Sequence, residues 1–131
     1  MLEFDNLRLE LESYAEKIDL LRDALHIKQI SDQVSELEAR SQEPDYWNDV
    51  ERAQKEQTKM KRLQKRIKTF EDLAASRDDL LVLCELGNEA EDTDVLEEAT
   101  EGVKKFTADY EKMRLETLLT GEYDKKRMPN F

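Results

Sequence analysis

Few residues of this chain could carry out chemistry. The only histidine, His26, follows Asp23 by three positions, which is the carboxylate-x-x-histidine spacing of di-iron helical bundles. Such sites need two copies of that motif and two further carboxylates, and the sequence has one copy. We therefore predict that His26 is structural or faces solvent, and that the chain holds no metal and no other cofactor.

The only cysteine, Cys84, falls on an apolar helical stripe, which predicts a buried and inert thiol. A single cysteine excludes an internal disulfide and suits a reducing, cytoplasmic location. The sequence has no glycine-rich phosphate loop, no metal-ligand cluster and no nucleophile–base pair. We predict that it is not an enzyme and has no small-molecule substrate.

The charges are unevenly distributed. The 131 residues carry a net charge of −11, which disfavours general binding to nucleic acids or anionic membranes. Residues 44–70, however, have eight basic and four acidic residues, whereas residues 71–101 have twelve acidic residues and one basic residue. Four of the basic residues recur at steps of four, three and four, on one face of a helix: Lys55, Lys59, Arg62 and Arg66. Either this face contacts RNA phosphates or a partner, or it is a solvated face paired with acidic neighbours.

The elements that must position these residues are helices. Apolar residues alternate at steps of three and four from Phe4 to Leu25, and the pattern restarts in a new phase from Ile27 to Leu37. Further stripes run from Val50 to Cys84 and from Leu96 to Leu119. The change of phase predicts a break between Leu25 and Ile27.

These stripes predict an all-α protein, an elongated antiparallel helical bundle or coiled coil of three to four helices. We place this helical domain at residues 1–121 and an unstructured tail at residues 122–131. No apolar run approaches the roughly 20 residues that span a bilayer, so no membrane association is expected.

A turn is expected between the second and third of these stripes. Pro44 ends one helix, because proline disfavours helical dihedral angles at the preceding residue. Asn48 then caps the next helix, with Glu51 as the reciprocal member of a capping box. The only tryptophan, Trp47, lies in this turn, where we expect it to be buried and to close the end of the bundle.

Two other helix ends have sequence signals. Gly87, followed by Asn88, predicts a left-handed end to the long helix. Asp94, with Glu97 three residues later, predicts the N-cap of the last helix.

The turn and its surroundings resemble the amino-terminal domain of bacterial peptide chain release factor 2. That family has a proline–aspartate turn, a Trp-Asn pair and an Ala-Gln pair in the following helix, which match residues 44–45, 47–48 and 53–54 here. Leu21, Arg22 and Leu25 resemble its early Leu-Arg and helix break, and residues 118–124 (LLTGEYD) resemble its closing turn. The resemblance covers residues 1 to about 125.

The resemblance implies a part in translation termination. In the family this domain resembles an extended arm. The arm reaches the ribosomal stalk base and the accessory GTPase release factor, so the resemblance implies these two partners. Two departures matter. His26 stands where the family commonly has an acidic capping residue, and the sequence contains neither the codon-reading part nor a Gly-Gly-Gln loop. The implied role is binding without peptidyl-tRNA hydrolysis.

A second hypothesis remains beside this one. The same stripes suit a free-standing coiled-coil interaction module, as a monomer or a dimer, unconnected with translation.

Overall fold

The computed structural model describes residues 1–120. Five α-helices and one short 3-10 helix account for nearly all of them, and no strand occurs in this range. The elements are α1 (Leu2–Glu12), α2 (Tyr14–Ala24), α3 (Ile27–Ser41), a 3-10 turn (Tyr46–Asn48), α4 (Val50–Ala90) and α5 (Thr93–Thr120). The prediction of an all-α helical bundle is confirmed. The predicted tail, residues 122–131, and Gly121, the last residue of the predicted helical domain, lie outside the described residues.

The chain divides into two compact units. Within the described residues, the first unit contains residues 1–25 and 72–120, and the second contains residues 26–71. The second unit has ten basic and nine acidic residues, whereas the described part of the first has eight basic and twenty-one acidic residues. Most of the negative charge of the protein therefore belongs to the first unit.

The second unit is an antiparallel pair formed by α3 and residues 50–71 of α4. The direction follows from two cross-helix contacts, because Arg40 bonds to Glu56 whereas the earlier residue Glu38 bonds to the later residue Gln64. Its core consists of aliphatic residues at helical spacing on both helices, with three side chains buried and three more packed against them: Ile30, Val34 and Leu63, then Leu37, Met60 and Ile67. Burying one such side chain contributes about 1.5–3 kcal/mol, so packing holds the pair together.

The first unit combines α1 and α2 with the remainder of α4 and with α5. Phe4 is buried against Gly87 near the end of α4 and Val95 near the start of α5. Ten residues further on, the Tyr14 ring meets the ring of Phe106 edge-on, with centroids 5.1 Å apart. The α1–α2 segment therefore runs parallel to α5 and antiparallel to α4. The stripe predicted from Phe4 to Leu25 faces this core, and so does the last stripe from Leu96 to Met113. The end of that last stripe does not, because Leu118 and Leu119 are exposed.

The predicted break between Leu25 and Ile27 is confirmed, since His26 has a left-handed backbone with φ 57°. An additional interruption at Ser13 separates α1 from α2. The Ser13 hydroxyl donates to the Glu10 carbonyl at 2.5 Å, the type of local bond with which serine competes against the helical backbone. The uniform stripe on either side of Ser13 gave no sign of it.

Two predicted helix ends are wrong. Gly87 lies inside α4, which continues to Ala90, and the left-handed residue is Glu91 with φ 48°. The cap of α5 is Asp92 and not Asp94, because the Asp92 carboxylate accepts from the backbone N–H groups of Asp94 (2.9 Å) and Val95 (3.2 Å). The aspartate that comes first after the left-handed residue faces the free amides of the new helix.

Among residues 1–120, no helix combines the length and the apolar character that crossing a bilayer requires.

Candidate functional site

The predicted basic face lies in the second unit, on the first half of α4. Its four members, Lys55, Lys59, Arg62 and Arg66, are all exposed. They flank the core stripe that holds Leu63 against α3, so the same helical repeat that buries the stripe keeps the cations in water. We refer to these four residues as the basic face.

Most of the basic face has no acidic partner. Lys55 pairs with Glu51 within the same helix, with Nζ 3.5 Å from Oε1. Lys59, Arg62 and Arg66 have no carboxylate oxygen within 4 Å among the residues that the structure describes. The interpretation of the face as paired with acidic neighbours therefore holds for one residue of four, and the other three cations are available to an external anion.

Two more cations extend this surface. Lys61 and Lys65 are exposed on the outer side of α4, and neither has a carboxylate within 4 Å in the described part of the chain. Both residues contribute to the positive charge of residues 44–70, but neither was predicted as a contact, because they fall outside the four-three-four spacing. A surface that binds a polyanion needs no strict helical register, so total exposed charge was the better signal.

An ion cluster joins the two helices beneath this surface. Glu56, whose side chain is 16% exposed, accepts from Arg40 of α3 at 2.5 Å and from Arg52 of α4 at 3.3 Å. Because one carboxylate bonds to both helices, it fixes the position of α4 relative to α3. The charges of Arg40 and Arg52 are thereby engaged inside the unit.

Tyr46 anchors the turn between α3 and α4. Its hydroxyl donates to the Ala53 carbonyl at 3.3 Å and accepts from the Gln57 side-chain amide at 3.4 Å. Gln57 interrupts the apolar stripe of α4, and this bond explains the interruption. The role of Tyr46 was not predicted, because the larger aromatic residue beside it, Trp47, was expected to be the buried one.

The turn contains Pro44, Trp47 and Asn48, as expected from the sequence, but the roles of two of them differ. Trp47 is 53% exposed, so the expectation that it is buried and closes the bundle is wrong. The Trp47 ring stands edge-on to the Tyr46 ring, with centroids 5.5 Å apart and an interplanar angle of 87°. Tyr46, with its hydroxyl bonded into α4, occupies the interior position that was expected for Trp47.

The N-cap of α4 is Asp49 and not Asn48. The Asp49 Oδ1 atom accepts from the Arg52 backbone N–H at 3.1 Å, whereas Asn48 ends the 3-10 turn. Both residue types cap helices well, and the extra turn of 3-10 helix moves the start of α4 one residue further on. Glu51 consequently stands at the second helical position and pairs with Lys55.

The two residues that first suggested chemistry lie elsewhere. Cys84 is 1% exposed, which confirms the predicted burial, and burial raises the pKa of its thiol. His26 is exposed and stands at the N-cap position before α3, where its side chain makes no capping hydrogen bond. In the described residues, no three His, Cys, Asp or Glu side chains are grouped as a metal site would require.

Known proteins similar to this chain belong to the family that its sequence resembles. The PCRF domain model matches residues 30–129. The chain is similar to peptide chain release factor 2 of an Exiguobacterium species, with 31% identity over 123 residues, 94% of this chain and 34% of that relative. It is also similar to peptide chain release factor 2 of Nocardia farcinica (39% identity; 78% and 28% covered) and of Corynebacterium diphtheriae (32% identity; 92% and 33% covered). The chain thus spans about a third of the length of these relatives. No solved structure matches it significantly.

Proposed function

The chain belongs to the PCRF domain family, which confirms the resemblance found in the sequence, and from this membership we propose that it is a docking module of a translation termination factor. In this proposal it acts in the cytoplasm and binds the ribosome, at the stalk base, or the accessory GTPase release factor. It binds without reading stop codons and without hydrolysing peptidyl-tRNA.

The observation that carries the proposal is the basic face. Lys59, Arg62 and Arg66 are exposed cations without carboxylate partners in the described residues, on a protein whose net charge is −11. A local cation cluster on an acidic protein can bind phosphates at one place while the remaining surface repels them. We therefore assign ribosomal RNA backbone as the ligand of this face.

Co-sedimentation with 70S ribosomes at several salt concentrations tests this assignment. The Lys59→Glu/Arg62→Glu variant should bind more weakly than the parent. The negative slope of log affinity against log salt should become shallower by about 2, since each lost phosphate contact reduces its magnitude by about 1. The matched control, Lys104→Glu/Lys112→Glu, changes the net charge equally on exposed residues of the first unit. Circular dichroism verifies that helicity is kept. Equal weakening in both variants would mean that only net charge matters, and the assignment of the face would fail.

The absence of hydrolysis has its own assay. The sequence contains no Gly-Gly-Gln segment. We expect no release of peptide from stop-programmed ribosomes by this chain, and release that depends on the stop codon would contradict the proposal.

A coiled-coil dimer is the second candidate, and one feature favours it. Leu2, Leu9 and Leu20 are exposed at spacings of seven and eleven residues, which places them on one face of the α1–α2 segment. The excess of acidic residues in the first unit opposes self-association. Sedimentation equilibrium at low and high salt shows whether the chain is a monomer or a dimer, because salt screens the repulsion between acidic residues and would favour a dimer.

A further inference from the structure

An apolar surface lies on the turn before α4. Trp47 and Val50 are each 53% exposed, and Pro44 beside them is also exposed. We call these three residues the tip patch. Tryptophan is enriched among the side chains that dominate binding energies, so an exposed tryptophan in a chain with 7% aromatic residues is a strong candidate contact.

The tip patch is held in place before any partner arrives. Tyr46 is bonded to Ala53 and Gln57 of α4, and its ring supports the Trp47 ring edge-on. Asp49 caps the helix that follows directly. A rigid aromatic contact loses less conformational entropy on binding than a mobile one, which favours its use in recognition.

The charges around the tip patch are opposite to those of the basic face. Residues 43–51 contain four acidic residues and no basic residue: Glu43, Asp45, Asp49 and Glu51. All four are exposed. Carboxylates repel RNA phosphates, so stacking of Trp47 on a nucleobase is disfavoured here, whereas a protein surface with lysine and arginine side chains around an apolar pocket is complementary.

We propose that the tip patch is a protein-docking surface, with Trp47 inserted into an apolar pocket that is rimmed by basic residues on a protein component of the ribosome. This inference rests on the proposed function. The second unit then has two contacts of different chemistry, with the basic face on RNA phosphate and the tip patch on protein.

Binding to intact 70S ribosomes and to deproteinised ribosomal RNA separates the two contacts. Trp47→Ser should weaken binding to intact ribosomes by about tenfold or more and leave binding to the free RNA unchanged. Lys59→Glu/Arg62→Glu should weaken both. The matched control is Leu86→Ser, which removes another exposed apolar side chain, from the first unit, and should change neither.

Photo-crosslinking identifies the partner directly. With p-benzoylphenylalanine in place of Trp47, we expect ribosome adducts that survive ribonuclease and contain a ribosomal protein, and fewer adducts from the same replacement of Leu86. Equal loss of RNA and ribosome binding in Trp47→Ser, or adducts destroyed by ribonuclease, would show a base-stacking tryptophan and overturn the inference alone. Unchanged ribosome binding by Trp47→Ser would also overturn it alone. Absence of ribosome binding by the parent chain would overturn the proposed function together with the inference.

Discussion

The Arg77 side chain reaches across the first unit to the backbone of Leu11, with Nε donating to the Leu11 carbonyl at 2.6 Å. The acceptor stands at the end of α1, two residues before the interruption at Ser13. Arg77 also lies 3.3 Å from Asp78 through its Nη1 atom. Arg77, which like Gln57 is a polar residue within the apolar stripe of α4, thus supplies a hydrogen bond where the α1–α2 segment is irregular.

Replacing this arginine should destabilise the first unit. Arg77→Met keeps most of the aliphatic contact but removes the charged donor, and we expect a loss of about 1.5–3 kcal/mol in the free energy of unfolding. Chemical denaturation followed by circular dichroism measures it. Lys104→Met, which removes an exposed cation of the same unit, is the control and should change stability by less than about 0.5 kcal/mol. Similar losses in both variants would contradict a specific role for the bond.

Gly87 should not tolerate a methyl group. A Cβ atom at this position would lie 2.6 Å from Cζ of Phe4 and 2.7 Å from Cγ1 of Val95. We expect Gly87→Ala to cost about 1–3 kcal/mol despite the better helix propensity of alanine.

Gly102 provides the comparison for that variant. Its Cβ would come closest to the tip of one flexible side chain, with Cδ2 of Leu80 at 2.5 Å. Because Leu80 can rotate away, Gly102→Ala should be less harmful than Gly87→Ala in the same denaturation experiment. The reverse order would mean that Phe4 can move and Leu80 cannot.

Capping of α4 can be assigned by mutation. Asp49→Ala removes the acceptor of the Arg52 backbone N–H and should cost about 1 kcal/mol. Asn48→Ala, one position earlier, should cost much less. Thermal unfolding of the two variants decides it, and a larger effect at Asn48 would return the cap to the residue that the sequence suggested.

The two aromatic residues of the turn should differ in their contribution to stability. Trp47→Ala removes a side chain that is already 53% exposed, so we expect a cost below the 3–5 kcal/mol that is usual for a buried aromatic residue. Tyr46→Ala removes packing and two hydrogen bonds and should cost more. Equilibrium denaturation compares them, and a greater loss for Trp47→Ala would show that Trp47 closes the bundle after all.

Tyr14 should make the first unit sensitive to alkali. Burial raises the pKa of its phenol above the ordinary value of 10.0, and the nearby Glu10 carboxylate raises it further. Above about pH 10 the unfolded chain therefore loses the Tyr14 proton before the folded chain does, and stability falls as pH rises. Tyr14→Phe retains the ring, which contacts Phe106 and Tyr110, and lacks this ionisation.

Denaturation of both proteins at about pH 8.5 and about pH 10.5 tests this dependence. The stability of the parent relative to Tyr14→Phe should decrease at the higher pH. A constant difference between the two proteins would mean that the phenol titrates alike in the folded and unfolded chains.

The sequence predicted the helices well because burial follows their repeat. Phe4, Leu11, Ile18 and Leu21 are buried, as their spacing indicated, and the phase change located the break at His26. Helix ends were predicted less well, because Asn48 competes with Asp49, and Asp94 with Asp92, through similar side chains. Which residue caps the helix depends on the dihedral angles of the turn before it. Membership of a stripe also did not predict burial at a helix end. Val50 is the first residue of the α4 stripe by spacing, yet its side chain is exposed.

The basic face was found from spacing, whereas its lack of partners was not. Whether a carboxylate stands near Arg62 depends on which residues α3 presents, and no local pattern encodes that. The burial of Trp47 was wrongly predicted because it, too, depends on a neighbouring residue. Its size favours burial on average, but the neighbouring Tyr46 has the hydroxyl that the interior of the turn can satisfy.

The single tryptophan and the single cysteine fall in different units, Trp47 in the second and Cys84 in the first. Indole emission therefore senses the solvent around the second unit, while a thiol reagent reaches Cys84 only when the first unit opens. The rate of thiol labelling and the shift of the emission maximum can be followed in one sample without adding a probe. The sequence thus contains a spectroscopic reporter for the second unit and a chemical reporter for the first.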